Sequence, residues 1–450
     1  MDESVQKEWF ELLKYESVGA DPTKLGECVS CASWMRKWLS KLGFEVELMY
    51  PPKEEGDSSP LPPPVLFAER KGVEGSATVL VYGHYDVQPA DPIAEWKTPP
   101  FEPTVVDGRV YCRGANDDKG QTFAFLCGMR DYLAATDAPI GIKIVLDGQE
   151  ESGSSSLISL ATGMRRRLAA DVMLVCDTSA APGLRPAIMA GLRGVASFTL
   201  RLDGPSRDLH SGEYGGVAPN PAQGMAELLA SLHFPDGSIA VAGFRDGIEL
   251  PTHDEEFAAE EVAQSEDAWR EEIGCDPCGG QMGKTIVQRN SFEPTIEVNG
   301  IHSGYGGPGA KTVIPASAIA KISMRLVPGQ SPRAAFAAVR SHLEDRCPQG
   351  MKLSFECVRE GLAGFRLPLA SPIFRLAADI LSEMDPRGAV FHWCGASIPV
   401  VSVLREASGA APLLVGWGQG EDRIHSPNES YSFEQFDKAR EWGRRIFAAL

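Results

Sequence analysis

The stretch Thr78-Val79-Leu80-Val81-Tyr82-Gly83-His84-Tyr85-Asp86 decides how this chain is read. Five residues rich in β-branched and aromatic side chains form a short apolar run, and polar groups follow it at once. Such a run reads as a buried strand. Two more of the same kind come later, Ile142-Lys143-Ile144-Val145-Leu146 and Val172-Met173-Leu174-Val175-Cys176. A helical stretch after Gly120 separates the first two, and another covers 155–168. Strands alternating with helices imply α/β architecture with a mostly parallel, doubly covered sheet. Segments 398–404 and 412–417 have the same strand character far downstream, before a final helix from about 434 to 450. Upstream, the first 45 residues read as helical, with Trp34, Trp38 and Leu42 on one face. The proline-rich segment 51–64 reads as a loop.

Between the two blocks of sheet strands the rhythm changes. Segments 195–202, 295–298, 319–327 and 353–358 alternate as strands, while 221–232 and 332–343 read as helices. That order, β-α-β-β-α-β, is the split pattern of a ferredoxin-like α+β layer. The stretch 234–292 is inserted in it, with an acidic helical piece at 254–272. The expected domains are therefore 1–191, first part of the larger α/β domain; 192–362, the inserted smaller domain; and 363–450, its second part.

Composition narrows the function classes. Lys plus Arg number 43 against 61 Asp plus Glu, a formal net charge of -18. Nucleic acid and anionic membrane surfaces are poor partners for such a chain, because both require a basic footprint. No apolar stretch approaches the roughly 20 residues that span a bilayer. Met1-Asp2-Glu3-Ser4 lacks the basic start and apolar run of a secretory leader. Ten cysteines spread over 450 residues form no compact disulfide framework. The expected compartment is the reducing cytoplasm.

The chemistry sits where the strands end. Gly83-His84-Tyr85-Asp86 follows the first, Asp147-Gly148-Gln149-Glu150-Glu151-Ser152-Gly153 the second, Asp177 the third, and His425 the loop after the 412–417 segment. Open α/β sheets collect ligands outside the carboxyl ends of their strands. Singly, each piece has a plain explanation: a surface His-x-Asp pair, a solvated Glu-Glu turn, a capping Asp177, a satisfied loop histidine. Arg113-Gly114-Ala115-Asn116-Asp117-Asp118-Lys119-Gly120 is less ordinary, since two adjacent acids in a glycine-bounded loop suggest oxygen ligands on a tight backbone. Taken together, the placement favours a metal.

These motifs, with Asp208-Leu209-His210-Ser211-Gly212, Gly309-Ala310-Lys311-Thr312-Val313-Ile314-Pro315, Arg325-Leu326-Val327-Pro328 and His425-Ser426-Pro427-Asn428-Glu429, resemble the aminoacylase, carnosinase and desuccinylase family of dinuclear zinc metallopeptidases. They run in the family's order over nearly the whole chain, and the cytosolic nonspecific dipeptidase branch fits best. The resemblance implies two zinc ions per subunit, with manganese or cobalt as alternatives. Asp117 would bridge them, His84 and Asp177 would complete one ion's ligands, and Glu151 and His425 the other's. Asp86 would hold the His84 ring from behind, and Glu150 would be the general base to a hydroxide shared by the ions.

The resemblance also implies that His210 reaches the oxyanion from the inserted domain of a neighbouring subunit in a homodimer. Arg325 would clamp the substrate carboxylate, with Thr312 and Ser397 adding hydrogen bonds. The implied activity is hydrolysis of the amide bond of dipeptides or short peptides with a free carboxylate. An N-acyl-amino-acid deacylase, a carboxypeptidase on longer peptides and a catalytically silent binding homologue are the alternatives. One motif departs from the dipeptidase pattern Arg-Glu-Gly-Gly-Ser-Ile-Pro: this chain has Trp393-Cys394-Gly395-Ala396-Ser397-Ile398-Pro399. Recognition of the substrate's amino-terminal half is expected to differ accordingly. Of the pairs Cys28/Cys31 and Cys275/Cys278, the first is expected to be buried and structural, and the second more open.

Overall fold

The computed structural model describes residues 1–53, 56, 58–137, 139–395 and 398–450. The chain forms two compact units: Met1–Ala190 with Pro368–His392 and Val400–Leu450, and Gly191–Leu367 with Trp393–Pro399.

In the first unit the sheet order is Glu45–Met49, Val65–Arg70, Gly141–Asp147, Thr78–His84, Val172–Val175, Ala411–Leu414, Ala187–Leu192. The middle four strands are parallel, and the flanking pairs are antiparallel. Gly141–Asp147 is buried at every position, as a central strand covered on both faces must be. The helix Lys119–Ala135 is likewise buried along its first three turns. An all-round buried helix is one sandwiched between layers. Its outer partner is the terminal helix Phe433–Ala449, and the two backbones meet closely: a side chain at Gly128 would stand 2.1 Å from the Arg440 carbonyl oxygen.

The second unit is a four-stranded antiparallel sheet in the order Thr295–Ser303, Ser317–Leu326, Gly194–Asp203, Lys352–Leu362. Gly194–Asp203 alternates strictly between buried and half-buried residues, the pattern of a sheet with one covered face. The helices Pro221–Ala230 and Pro332–Glu344 contribute Met225, Leu228, Val339 and Leu343 to the core above Phe198, Leu200, Ile322 and Met324. Each begins with proline behind a capping side chain, Asn220 or Ser331, which supplies an acceptor that a helix start lacks. The element order is the expected β-α-β-β-α-β.

Several expectations change in detail. Segment 398–404 is not a strand: Pro399–Ser408 is a helix. Its β-branched run resembles a strand, but Val400, Val401 and Leu404 are buried while Arg405 and Glu406 face outward, which is helical spacing. The stretch 155–168 splits into Ser155–Ala161 and Arg165–Leu168, and the acidic piece into His253–Glu261 and Glu266–Ile273. Strands Glu45–Met49, Val65–Arg70 and Ala187–Leu192 are additions to the sequence reading. Among the described residues, no helix is long and apolar enough to cross a membrane.

Candidate metal centre

Each donor of the candidate centre stands at the end of a strand or in a loop of the first unit, for a local reason. Thr78–His84 ends on His84, whose ring is fully buried. Its Nδ1 lies 3.1 Å from the Asp86 main-chain oxygen and 3.4 Å from the Asp86 carboxylate. Both are acceptors only, so Nδ1 carries a proton, and Nε2 is the nitrogen turned to the other carboxylates. Nε2 lies 3.1 Å from Asp117 Oδ1 and 3.7 Å from Asp177 Oδ2. On the other side of Asp117, Oδ2 lies 2.9 Å from His425 Nε2, which is 3.3 Å from Glu151 Oε2.

Two donor triads result, His84–Asp117–Asp177 and Asp117–Glu151–His425, each with its ligand atoms within 4.8 Å of one another. Asp117 belongs to both. His425 adopts φ 60, the left-handed region that costs a non-glycine residue about 1–2 kcal/mol. Such strain persists where surrounding contacts over-determine it, commonly at functional sites.

The electrostatics call for cations. Among the described residues, Asp86, Asp117, Glu150, Glu151 and Asp177 converge on two imidazoles. Burial opposes a charged His84, yet hydrogen bonds to Asp117 and Asp86 hold its pKa well above the usual value. His425 rises to about 10, chiefly through its hydrogen bonds to Asp117 and Glu151. Burial pushes Asp177 well above the carboxylate range, with Asp117 and Asp118 adding repulsion. Glu150 is raised to about 7, first by burial and then by Glu151 and Asp117 against the pull of His84. Imidazole nitrogen and carboxylate oxygen in three-ligand sets sharing one carboxylate suit a pair of divalent ions. The residues therefore fit the group.

Supporting contacts fix this geometry. The Asp86 carboxylate accepts from the main-chain N–H of Glu150 at 3.1 Å and of Glu151 at 3.2 Å, so it orients the glutamate turn as well as the His84 ring. Gln88 donates to Glu151 Oε2 at 2.7 Å. Asp118 faces away from the triads, accepting from the His84 N–H and the Thr122 hydroxyl. Glu429, to which the sequence reading gave no role, organises the Asp117 loop. Its carboxylate accepts from the N–H groups of Gly114, Asn116 and Asp117, each at 3.0 Å, and pairs with Arg113 at 2.6 Å. Both partners are fully buried. Their separation of 316 positions along the chain hides the pair from any local pattern.

Glu429→Ala is accordingly expected to cost about 3–5 kcal/mol, since it leaves a buried guanidinium without its anion. Urea unfolding compared with wild type reads this directly, and a change under 1 kcal/mol would refute the assignment.

The substrate candidates lie elsewhere. His210, Thr312 and Arg325 belong to the second unit. His210 is exposed, pairs with Val313 across a short two-stranded ladder and accepts the Gly212 N–H at 3.0 Å. Thr312 is exposed, and its carbonyl accepts the Ser211 N–H at 3.1 Å. Arg325 is half-buried near the end of Ser317–Leu326. Ser397 lies outside the described residues. The Trp393 ring is 3% exposed and packs on Phe292 with centroids 5.4 Å apart, as a core side chain. Cys28 and Cys31 are buried, and burial pushes their thiols up to about 12 and about 11; Cys275 and Cys278 are exposed.

Comparisons with known proteins point to one family. Beta-Ala-His dipeptidase of Homo sapiens is 29% identical over 461 residues, covering 100% of this chain and 89% of the relative. Cys-Gly metallodipeptidase dug1 of Schizosaccharomyces pombe is 29% identical over 440 residues, covering 94% and 90%. Among solved structures, the M20 family metallo-carboxypeptidase Sso-CP2 from Sulfolobus solfataricus has a TM-score of 0.87 at 26% identity, with 99% of each chain covered. Human carnosine dipeptidase 1 has a TM-score of 0.81 at 27% identity, covering 99% of this chain and 95% of its own. Residues 80–449 match the model of peptidase family M20/M25/M40. The chain belongs to that family and is a metallopeptidase.

Proposed function

We propose that the protein is a cytoplasmic dipeptidase that holds two zinc ions and cleaves the amide bond of dipeptides bearing a free carboxylate. The observation that carries this reading is the pair of donor triads sharing Asp117. His84 and Asp177 would hold one ion, Glu151 and His425 the other, with Asp117 between them. Divalent ions held by these residues would supply Lewis acidity toward an amide carbonyl and an activated water near neutral pH.

The rest of the chemistry belongs to side chains. Burial gives Glu150 a proton affinity near neutrality, which suits a group that takes a proton from the attacking water and returns it to the departing amine. Asp86 holds the turn that carries Glu150 by accepting its main-chain N–H. We assign Arg325 to the substrate carboxylate, His210 to the oxyanion, and Thr312 and Ser397 to hydrogen bonds near the carboxylate. The dipeptidase names of the two relatives favour this reading over an acyl-amino-acid deacylase. Cys28, Cys31, Cys112, Cys127 and Cys176 are buried free thiols, as suits a reducing compartment.

The test is a hydrolysis panel of free dipeptides, β-alanyl dipeptides and N-acetyl amino acids. Cleavage confined to the dipeptides, abolished by a chelator and restored by zinc, is the expected result. Cleavage of the acylated amino acids alone would move the protein to the deacylases.

The second unit supports a homodimer. Thr295–Ser303 is an edge strand of its sheet and exposes Val298 at 41% and Ile301 at 62%. An open strand edge is a template for pairing with a second copy. Sedimentation is expected to give a dimer, and specific activity is expected to fall on dilution below its dissociation constant, since His210 would then lack its target. A monomer with full activity at high dilution would contradict both the dimer and the His210 role.

A further inference from the structure

The two imidazoles of the centre are held in different ways. His84 is buried, and Asp86 accepts from Nδ1 behind its ring. The His425 ring is 51% exposed, and its contacts to Asp117 and Glu151 are both made by Nε2. Among the described residues, no acceptor stands on His425 Nδ1. A ligating imidazole commonly takes its orientation from a partner on the far nitrogen. At His425 that orientation must come from the main chain.

The main chain there is strained and thinly packed. Arg423 and His425 take φ 56 and φ 60, in the left-handed region, and Arg423, Ile424 and His425 are all exposed. Downstream the loop is tied by Asn428, whose side chain accepts from the Lys97 N–H at 2.7 Å and donates to the Glu95 carbonyl at 2.9 Å. Upstream the nearest buried side chain is Asp422, which is fully enclosed. Its Oδ2 accepts from the Gln419 N–H at 2.7 Å, from Gln435 Nε2 at 2.6 Å and from Asn116 Nδ2 at 2.8 Å. Its Oδ1 accepts from the Arg109 guanidinium.

The Asn116 bond joins two loops. Asn116 immediately precedes Asp117, whose carboxylate meets His425 at 2.9 Å, and it lies 306 positions from Asp422. Gln435 fastens the same Asp422 carboxylate to the terminal helix Phe433–Ala449. One buried carboxylate thus ties the His425 loop, the Asp117 loop and a packed helix together. Asp117 has a second hold, because Glu429 accepts its N–H.

We propose that Asp422 is a positioning residue of the metal centre. By fixing the His425 loop to the Asp117 loop, it sets the affinity of the ion that Asp117, Glu151 and His425 would hold. The ion at His84 and Asp177 depends instead on Asp86 and Glu429. This deepens the two-ion reading above and rests on it.

The test is D422N, which keeps the shape of the side chain and turns an NH₂ group toward groups that already donate. Zinc binding to the chelator-stripped full-length protein is followed by calorimetry, beside amide hydrogen exchange of the metal-free protein. One ion is expected to bind as in wild type and the other about 10–100-fold more weakly, the range for loss of an outer-shell partner. Exchange is expected to speed up over 116–117 and 419–426 while the rest of the chain keeps its protection. Equal weakening of both ions, or faster exchange throughout the first unit, would make Asp422 a general structural group and overturn the proposal. Two unchanged affinities would overturn it as well. N116A removes only the joint between the loops and covers failure of D422N to fold. It is expected to weaken the same ion by about tenfold, the worth of one hydrogen bond to a charged group, and an unchanged affinity counts against the joint. Should the wild type bind a single ion, the two-ion reading fails by itself, and the exchange measurement decides. Faster exchange confined to the two loops then supports the joint, and unchanged exchange overturns it.

Discussion

Glu150→Gln is expected to lower kcat by about 10²–10⁴-fold while leaving the bound metal unchanged. The expectation follows from the division of labour within one turn. Glu151 reaches His425 and belongs to a donor triad, whereas Glu150 belongs to neither. Glutamine preserves the volume of Glu150 and its N–H bond to Asp86, and removes only the ability to take a proton. The measurement is kcat beside metal content by elemental analysis. Loss of metal together with activity would reverse the roles of the two glutamates.

The second large effect is expected at Asp117. Its Oδ1 faces His84 and its Oδ2 faces His425, so one carboxylate serves both triads. Asp117→Asn replaces one of those oxygens with an NH₂ group that donates rather than accepts. It also lifts the influence of both rings, which hold Asp117 well below the usual carboxylate range against its burial. Bound metal is expected to fall from two ions per chain to near zero, with activity at background. Retention of one ion at full affinity would show that the two sites are independent and that Asp117 serves only one of them.

How much of this was legible follows from where the information lies. His84, Glu150, Glu151 and Asp177 directly follow apolar runs, so local pattern alone placed them at strand ends, where open sheets bind ligands. The antiparallel second unit was legible because a half-covered strand alternates, as Gly194–Asp203 and Ser317–Leu326 do. Pro399–Ser408 misled because valine-rich runs satisfy both periods, and burial chose the helical one. Glu429 and Gln88 could not be read in advance, because their partners come from other parts of the chain and carry no local signature. Trp393 looked like a substituted site residue; its ring is core.

The most direct test of the central claim is a zinc titration of the chelator-stripped protein, following dipeptide hydrolysis and bound metal together. No turnover is expected without metal, and full activity is expected as two ions per chain bind. Full turnover in the stripped protein, or saturation of activity and binding at a single ion, would contradict the shared-Asp117 centre.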